Sequence, residues 1–546
     1  MTTDNGDGGT DHGLGISSKK TSPKRVSFLT LGCKVNRYDT QVMAEDFERH
    51  GYELVGFEDE ADVYVINTCS VTAHSEAKCR QAIHRARRKN PKAAIVVTGC
   101  YPQVKPKEVA SIPGVTLAVG TGIGTSVCEL LEASHGQAKS DKEESRGRRR
   151  GAVATVWLEP ALEDGESRPK RLTVLRRALD GASVTGFEGR TRAFLKIQEG
   201  CERRCSYCIV PLARGPRRSK SPSVVLEELE GLLESGFKEV VLTGTDLGAY
   251  GLDLHGQEER CIPGGGACGN GDGNAGLNGD DDARLNGDGD ADGDAGPYAP
   301  VADFKVAGRM DLADLLRLMG RKLSGYFEKG ARLRLSSIEP YGVNPRLLEV
   351  MADADWICRH LHIPLQSGSD RVLGLMGRGY TVEEFLGLVQ RIREAIPGIG
   401  ITTDVIVGFP GETRREFEET VDVVRKASFS RLHVFRFSPR PKTAAFELPG
   451  QVGPDEKKKR SEILISVGKQ LAKAFHEGLV GTVQQVLVEE ARDRRSGSLQ
   501  GFTSNYVRAF FHGDDSLKGS MVTVVVDSGD ERGVMARLRG RPDRIR

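Results

Sequence analysis

Three cysteines stand at Cys201, Cys205 and Cys208, in the run EGCERRCSYCIVP. Their spacing is C-x3-C-x2-C. Thiolates are the protein ligands of iron–sulfur clusters, and a [4Fe–4S] cluster held by three of them keeps one iron without a protein ligand. Such an iron is open to a small molecule that brings an amine and a carboxylate. The competing reading is zinc. Zinc sites pair two C-x2-C-like elements or add histidines at short spacing, and no such second half follows this run.

A second set of three lies upstream. Cys33, Cys69 and Cys100 end the apolar runs VSFLTLGC, ADVYVINTC and AAIVVTGC. Helical stretches, roughly 37–51 and 74–89, separate them. Strand–helix–strand–helix–strand text predicts a parallel sheet with helical crossovers. All three cysteines then sit at carboxyl ends of strands, the edge where such sheets bind ligands. Neighbouring strands lie about 4.8 Å apart, so the three can converge on one cluster.

The elements that must carry the first set come next. Residues 187–450 repeat one theme: short strands ending in polar or glycine-containing text, as in FLKIQEGC, EVVLTGTDLG, RLRLSSIEP, HLHIPLQSG, ITTDVIVGFPGE and LHVFRFSPR. Helical periodicity separates most of them. Six β/α repeats predict a parallel partial barrel with its function at the carboxyl face. The first strand delivers the C-x3-C-x2-C loop to that face. A charged helix is expected over 451–477, and 478–541 alternates apolar and polar residues like a small antiparallel β-barrel. Such barrels often bind RNA, although a plain structural appendage is the alternative. The fold class is therefore α/β: a parallel N-terminal unit over 26–133, a linker over 134–186 with room for a strand or two near 153–175, the partial barrel, and the terminal β-barrel.

Of the 546 residues, 38% are hydrophobic. Part of the deficit is local. Residues 269–296 are almost all Gly, Asp, Asn and Ala, with eight Asp against one Arg. Such text cannot bury enough apolar surface to fold, so a disordered acidic insert is expected over about 255–308, and a disordered tail over 1–25. The chain carries a net charge of +2 although this insert contributes −7. The remainder is mildly basic, which permits a nucleic-acid partner. Eleven cysteines without the spacing of a secreted scaffold indicate a reducing compartment, and a cytoplasmic location is expected. No apolar run approaches about 18 residues, so no membrane span is expected.

The motifs LGCKVNRYD, INTCSVT, VTGCYPQ, EGCERRCSYCIVPLARG, VLTGTDLGAYG, RLSSIEP, HIPLQSGSDRVL, TDVIVGFPGET and HVFRFSPRPKTAA together closely resemble the methylthiotransferases, a family of radical S-adenosyl-L-methionine (SAM) enzymes. The resemblance covers about 26–252 and 310–540, the linker excepted. It implies an N-terminal cluster domain, a radical-SAM barrel and a C-terminal TRAM domain. It implies two [4Fe–4S] clusters and SAM. Cys201, Cys205 and Cys208 match the ligands of the SAM-binding cluster, whose electron cleaves SAM to a 5′-deoxyadenosyl radical. Cys33, Cys69 and Cys100 match the ligands of the auxiliary cluster that holds or donates the sulfur. Thr243, Gly244, Ser337, Glu339 and Gln366 match strand-end SAM contacts, with Tyr207 beside the adenine. An aromatic C–H is not deprotonated at neutral pH, so the cofactor supplies a radical and the protein supplies position and a dry site.

The LGCKVN text resembles the branch that methylthiolates C2 of N6-threonylcarbamoyladenosine, next to the anticodon of tRNA. Sibling branches act on isopentenyladenosine or on a ribosomal-protein aspartate. A reducing donor such as flavodoxin or ferredoxin, and a monomeric chain, are expected. A non-catalytic two-cluster electron carrier is the reading from another class, but carriers complete each cluster with four cysteines. Cys79, Cys128 and Cys358 read as small buried or semi-exposed residues rather than ligands, and Cys261 and Cys268, in or beside the insert, as an incomplete metal pair. The basic helix with Lys78, Arg80, Arg85, Arg87, Arg88 and Lys89 is a candidate for tRNA phosphates or a solvated face. Arg214, Arg217 and Arg218 are expected to meet a phosphate or the SAM carboxylate.

Overall fold

The computed structural model describes residues 23–121, 126–134, 155–157, 179–187, 189–254 and 310–540. The expectations for the first 22 residues, the acidic insert, Cys261 and Cys268 fall outside them.

The N-terminal sheet is parallel throughout, in the order Glu53–Val55, Arg25–Thr30, Val63–Thr68, Ala94–Gly99, Leu117–Val119, Thr155–Trp157. The last strand comes from the segment expected as a linker. The two central strands, VYVINT and AIVVTG, are buried along their whole length. That is why they read as unbroken apolar runs rather than alternating ones. Helices Lys34–Arg49 and Ala73–Lys89 make the crossovers. The second begins where the Thr72 side chain accepts a hydrogen bond from Ser75 N at 3.1 Å, closing one orphan donor of the first turn.

The central unit has six parallel strands in two triplets. Ala193–Lys196, Glu239–Thr243 and Arg332–Leu335 form one. His360–His362, Gly400–Val407 and Arg431–Arg436 form the other. Isolated bridges Leu333–Ile357 and Ser337–His362 join them. The result is an open partial barrel whose unpaired edges are Ala193–Lys196 and Arg431–Arg436. The charged helix runs Pro454–Glu477, and the five strands after it close into a barrel.

That terminal barrel plugs the amino-terminal mouth of the central one. Arg332 donates to Phe502 O at 2.8 Å, and Arg334 to Ser504 O at 2.9 Å and Thr503 O at 3.0 Å. A Cβ on Gly400 would meet Asn505 O at 2.2 Å, so only glycine admits this loop. Tyr506 takes φ +66°, a strained conformation costing about 1–3 kcal/mol. It is held by stacking on Phe502 at 4.9 Å and by a tilted ring contact with His360 at 4.7 Å.

Glu239, 0% exposed, receives Arg332 at 2.7 Å and Arg334 at 2.8 Å. Burial alone would raise its pKa, but Arg334 and Arg332 outweigh that and hold the carboxyl well below the ordinary range. Glu239→Ala strands two buried guanidinium groups and should cost about 3–5 kcal/mol, read as a lower urea midpoint. A depressed carboxyl stabilises the fold above its unfolded pKa of about 4.3. The gap between wild type and variant should therefore shrink as pH falls below that value toward the folded pKa. A constant gap would show that the charge is not what stabilises this mouth.

Candidate functional site

The N-terminal unit lies with its cysteine edge against the carboxyl face of the partial barrel. Ala73 N donates to Ser438 Oγ at 3.2 Å, Arg440 pairs with Glu76, and Thr121 Oγ1 donates to Ala213 O. Tyr38 OH donates to Glu228 at 2.7 Å, and Lys196 pairs with Asp39 at 2.6 Å.

Cys33, Cys69 and Cys100 follow three neighbouring strands. Cys33 precedes the helix Lys34–Arg49 and is exposed, while Cys69 and Cys100 are buried. Asn36 ties the first two of these loops together. Its amide donates to Asn67 Oδ1 at 2.8 Å and Thr68 O at 3.0 Å, and its Oδ1 accepts from Cys33 Sγ at 3.1 Å. Gly99 has φ +94°, and a Cβ there would stand 2.4 Å from Asn67 Oδ1. The turn into Cys100 is open to glycine alone. Burial pushes the Cys100 thiol up to about 12 and raises that of Cys69 as well. A bound metal must therefore expel protons from both.

Cys201, Cys205 and Cys208 occupy the loop after the first barrel strand. Cys201 N donates to Gly215 O at 3.1 Å, which closes the loop on itself. Gly200, at φ +78°, lies so near Pro216 O that a Cβ would be 1.8 Å away. Cys201 Sγ donates to Asp246 at 3.6 Å. Arg378 donates to Cys205 Sγ and Tyr207 OH, each at 3.5 Å, and pairs with Glu339. Burial raises the Cys201 thiol and pushes that of Cys208 up to about 12.

Among the described residues, neither triad brings its three sulfurs all within 4.8 Å of one another.

The strand ends beside the second triad fit a polar small molecule. Thr245 Oγ1, Ser336 Oγ and Gln366 Oε1 are buried without a hydrogen-bond partner. Buried polar atoms in folded proteins nearly always have one, so these three mark where a ligand's amine or hydroxyl groups would sit. They follow the second, third and fourth barrel strands. Gln366 also takes φ +69°, strain of the kind that clusters at ligand sites. Thr243 is buried at the end of its strand, and Gly244 packs on Gln198, whose Oε1 a Cβ would meet at 2.9 Å. Ser337 is exposed and bridges to His362, so the unpaired hydroxyl belongs to its neighbour Ser336. Glu339 is paired with Arg378 and, at 3.5 Å, with Arg203.

Asp404, Asp246 and Arg378 were not singled out by sequence. Each lies in or next to a quoted motif, but motif text does not say which side chains face inward. His362 and His433 donate to Asp404 at 3.2 and 3.1 Å. Burial alone would raise this carboxyl, yet the two imidazoles hold it low. Asp404 O also accepts from Gln366 N at 2.9 Å, which places an ionised acceptor beside the unpaired glutamine.

The arginines after the cysteine loop depart from expectation. Arg214 and Arg218 are buried, 4% and 2% exposed, and pair with Glu199 at 2.5 and 3.7 Å. Arg217 pairs with Glu202 at 3.3 Å. Each of the three is already engaged by a carboxylate, so none is poised for a phosphate. On the basic helix, Arg80 reaches Glu108, and Arg85 and Lys89 reach Glu58. Cys79, Cys128 and Cys358 are buried as expected. No helix among the described residues is long and apolar enough to cross a membrane.

Residues 25–120 match the uncharacterized protein family UPF0004, and residues 195–424 match the radical SAM superfamily. The threonylcarbamoyladenosine tRNA methylthiotransferase MtaB of Bacillus subtilis is 35% identical over 92% of this chain and 93% of its own length. The protein of that name from Thermotoga maritima is 32% identical over 94% and 96%. The tRNA-2-methylthio-N(6)-dimethylallyladenosine synthase of Pelotomaculum thermopropionicum is 32% identical over 92% and 95%. Among solved structures, the radical S-adenosylmethionine methyltransferase TsrM from Kitasatospora setae superposes with a TM-score of 0.47 at 17% identity, covering 78% of this chain and 77% of that one.

Proposed function

Since the chain belongs to the methylthiotransferase family of radical-SAM enzymes, we propose that it adds a methylthio group to C2 of N6-threonylcarbamoyladenosine next to the anticodon of tRNA. The observation that carries this is the meeting of two cysteine triads, one on the N-terminal sheet edge and one on the barrel face it covers. Cys201, Cys205 and Cys208 hold the SAM-binding [4Fe–4S] cluster, and Cys33, Cys69 and Cys100 hold a second. When bound, the first supplies one-electron cleavage of SAM and the second supplies sulfur.

The chain's own residues bind and orient. Thr243, Gly244, Thr245, Ser336, Glu339 and Gln366 line the strand ends for SAM, and Asp404 offers an acceptor to a hydroxyl. Tyr207, packed with Val372, Met376, Phe409 and Phe437, provides an apolar wall at the adenine. The N-terminal unit, lying over the face, keeps water from the reacting carbon. The division into an auxiliary-cluster unit over 26–133, a barrel over 187–450 and a TRAM-like RNA-binding unit over 478–541 belongs to the same reading. So do a cytoplasmic location, a monomeric chain and a flavodoxin or ferredoxin donor.

Nucleoside mass spectrometry tests the substrate. Transfer RNA from cells lacking this chain should hold N6-threonylcarbamoyladenosine without its 2-methylthio form, and re-expression should restore that form. The family resemblance at Gly32–Asn36 and the two relatives named for this nucleoside support the branch. Restoration only of the methylthiolated isopentenyl nucleoside would move the chain to the sibling branch.

A further inference from the structure

Arg214 is the side chain that both halves of the site share. It belongs to the short helix Val210–Arg214, directly after the second cysteine triad. Its guanidinium leaves the barrel and enters the N-terminal unit. One nitrogen donates to Asp39 at 2.9 Å and Glu199 at 2.5 Å, and the other to Asn36 Oδ1 at 2.9 Å. Its charge also acts on the thiols of Cys100, Cys33 and Cys69. Asn36 Oδ1, which it holds, is the acceptor of the Cys33 thiol. A group reaching three acceptors in fixed directions suits arginine's planar fork rather than the point charge of lysine.

Other charges crowd the same place. Lys196 lies 3.0 Å and Arg218 3.7 Å from Glu199, and Lys196 lies 2.6 Å from Asp39. Three thiolates around a [4Fe–4S]2+ core carry one net negative charge. Reduction by one electron adds a second negative charge and needs no proton.

We propose that Arg214 is a positioning residue that docks the SAM-cluster loop onto the Cys33–Cys69–Cys100 site, and that its charge raises the reduction potential of the cluster bound there. This rests on the two-cluster reading above. The general levers are net charge, hydrogen bonds to the sulfurs and burial; Arg214 supplies a buried charge and holds Asn36, the residue that meets the Cys33 sulfur. A charge inside a protein also acts far more strongly than the same charge in water.

The test uses full-length protein with Cys201, Cys205 and Cys208 replaced by Ala, so that one cluster remains, titrated with dithionite and followed by electron paramagnetic resonance. In that background Arg214→Gln should lower the equilibrium constant for reduction at least tenfold, about 59 mV for a one-electron couple. Arg214→Lys, which keeps the charge and loses the fork, should stay within about threefold of the parent. Glu199→Gln frees the arginine from its counter-charge and should move the potential the opposite way. These opposite signs separate electrostatics from mere loosening, and Glu199→Gln remains informative should Arg214→Gln fail to fold. Iron retained with the potential unmoved, or moved in the same direction by Arg214→Gln and Glu199→Gln, overturns the proposal. Absence of iron from the parent background instead overturns the two-cluster reading on which it stands.

Discussion

Replacing Cys201, Cys205 and Cys208 together by Ala is expected to halve the iron bound after reconstitution, from about eight per chain to about four, and to abolish SAM cleavage. The loss should be near total because nothing else in the loop can stand in. Asp246 and Glu339, the nearby carboxylates, are engaged by Tyr341 at 2.6 Å and by Arg378 respectively. Arg378 donates to Cys205 and carries a charge opposed to metal binding. The fold should survive, since the loop is fixed by backbone contacts such as Ser206 N to Met376 O at 3.0 Å. Iron and 5′-deoxyadenosine are measured on the same preparation. Unchanged iron would sink the assignment of two separate sites. Persistent 5′-deoxyadenosine would sink the placing of SAM cleavage on the barrel.

The converse substitution separates the two steps. With Cys33, Cys69 and Cys100 changed to Ala, SAM should still be cleaved to 5′-deoxyadenosine while methylthiolated nucleoside falls below detection. The three side chains lie on another sheet, and Arg214 and Asn36 link them to the barrel loop. Removing them empties the sulfur source without touching Thr245, Ser336 or Gln366. Product formed by this triple variant would show that the sulfur comes from elsewhere.

How far the sequence could be read follows from where the information sits. Parallel strands buried on both faces leave a mark in the chain itself, so Val63–Thr68 and Ala94–Gly99 were legible as VYVINT and AIVVTG. The cysteines after them were legible for the same reason. The six barrel strands and the closed terminal barrel were readable from periodicity and turns. What periodicity cannot carry is docking between units. Asn36, Tyr38 and Asp39 follow Cys33 within six residues, yet each is used mainly to meet something more than 25 residues away. Arg214 and Arg218 are expected from sequence to meet a phosphate or the SAM carboxylate, and only the folded chain brings Glu199 and Asp39 to this pair. Glu239 begins a strand of ordinary appearance, and the guanidinium groups that permit its burial lie almost a hundred residues on. Gln366 and Ser336 show a related limit: motif text located the strand end, but which hydroxyl or amide remains unpaired depends on the bridge between two triplets of strands.

The loop Phe502–Tyr506 makes the terminal barrel a floor for the central one. A chain without it leaves Arg332 and Arg334 without the carbonyls of Phe502, Thr503 and Ser504 and opens the mouth that Tyr506 fills. The strands that carry the cysteine loop at their other end would then be less firmly held, and loosely held thiols are open to oxidation. Expression systems that truncate, stall or tag this chain near residues 502–506 should accordingly yield protein poor in iron, even though every cysteine ligand is present.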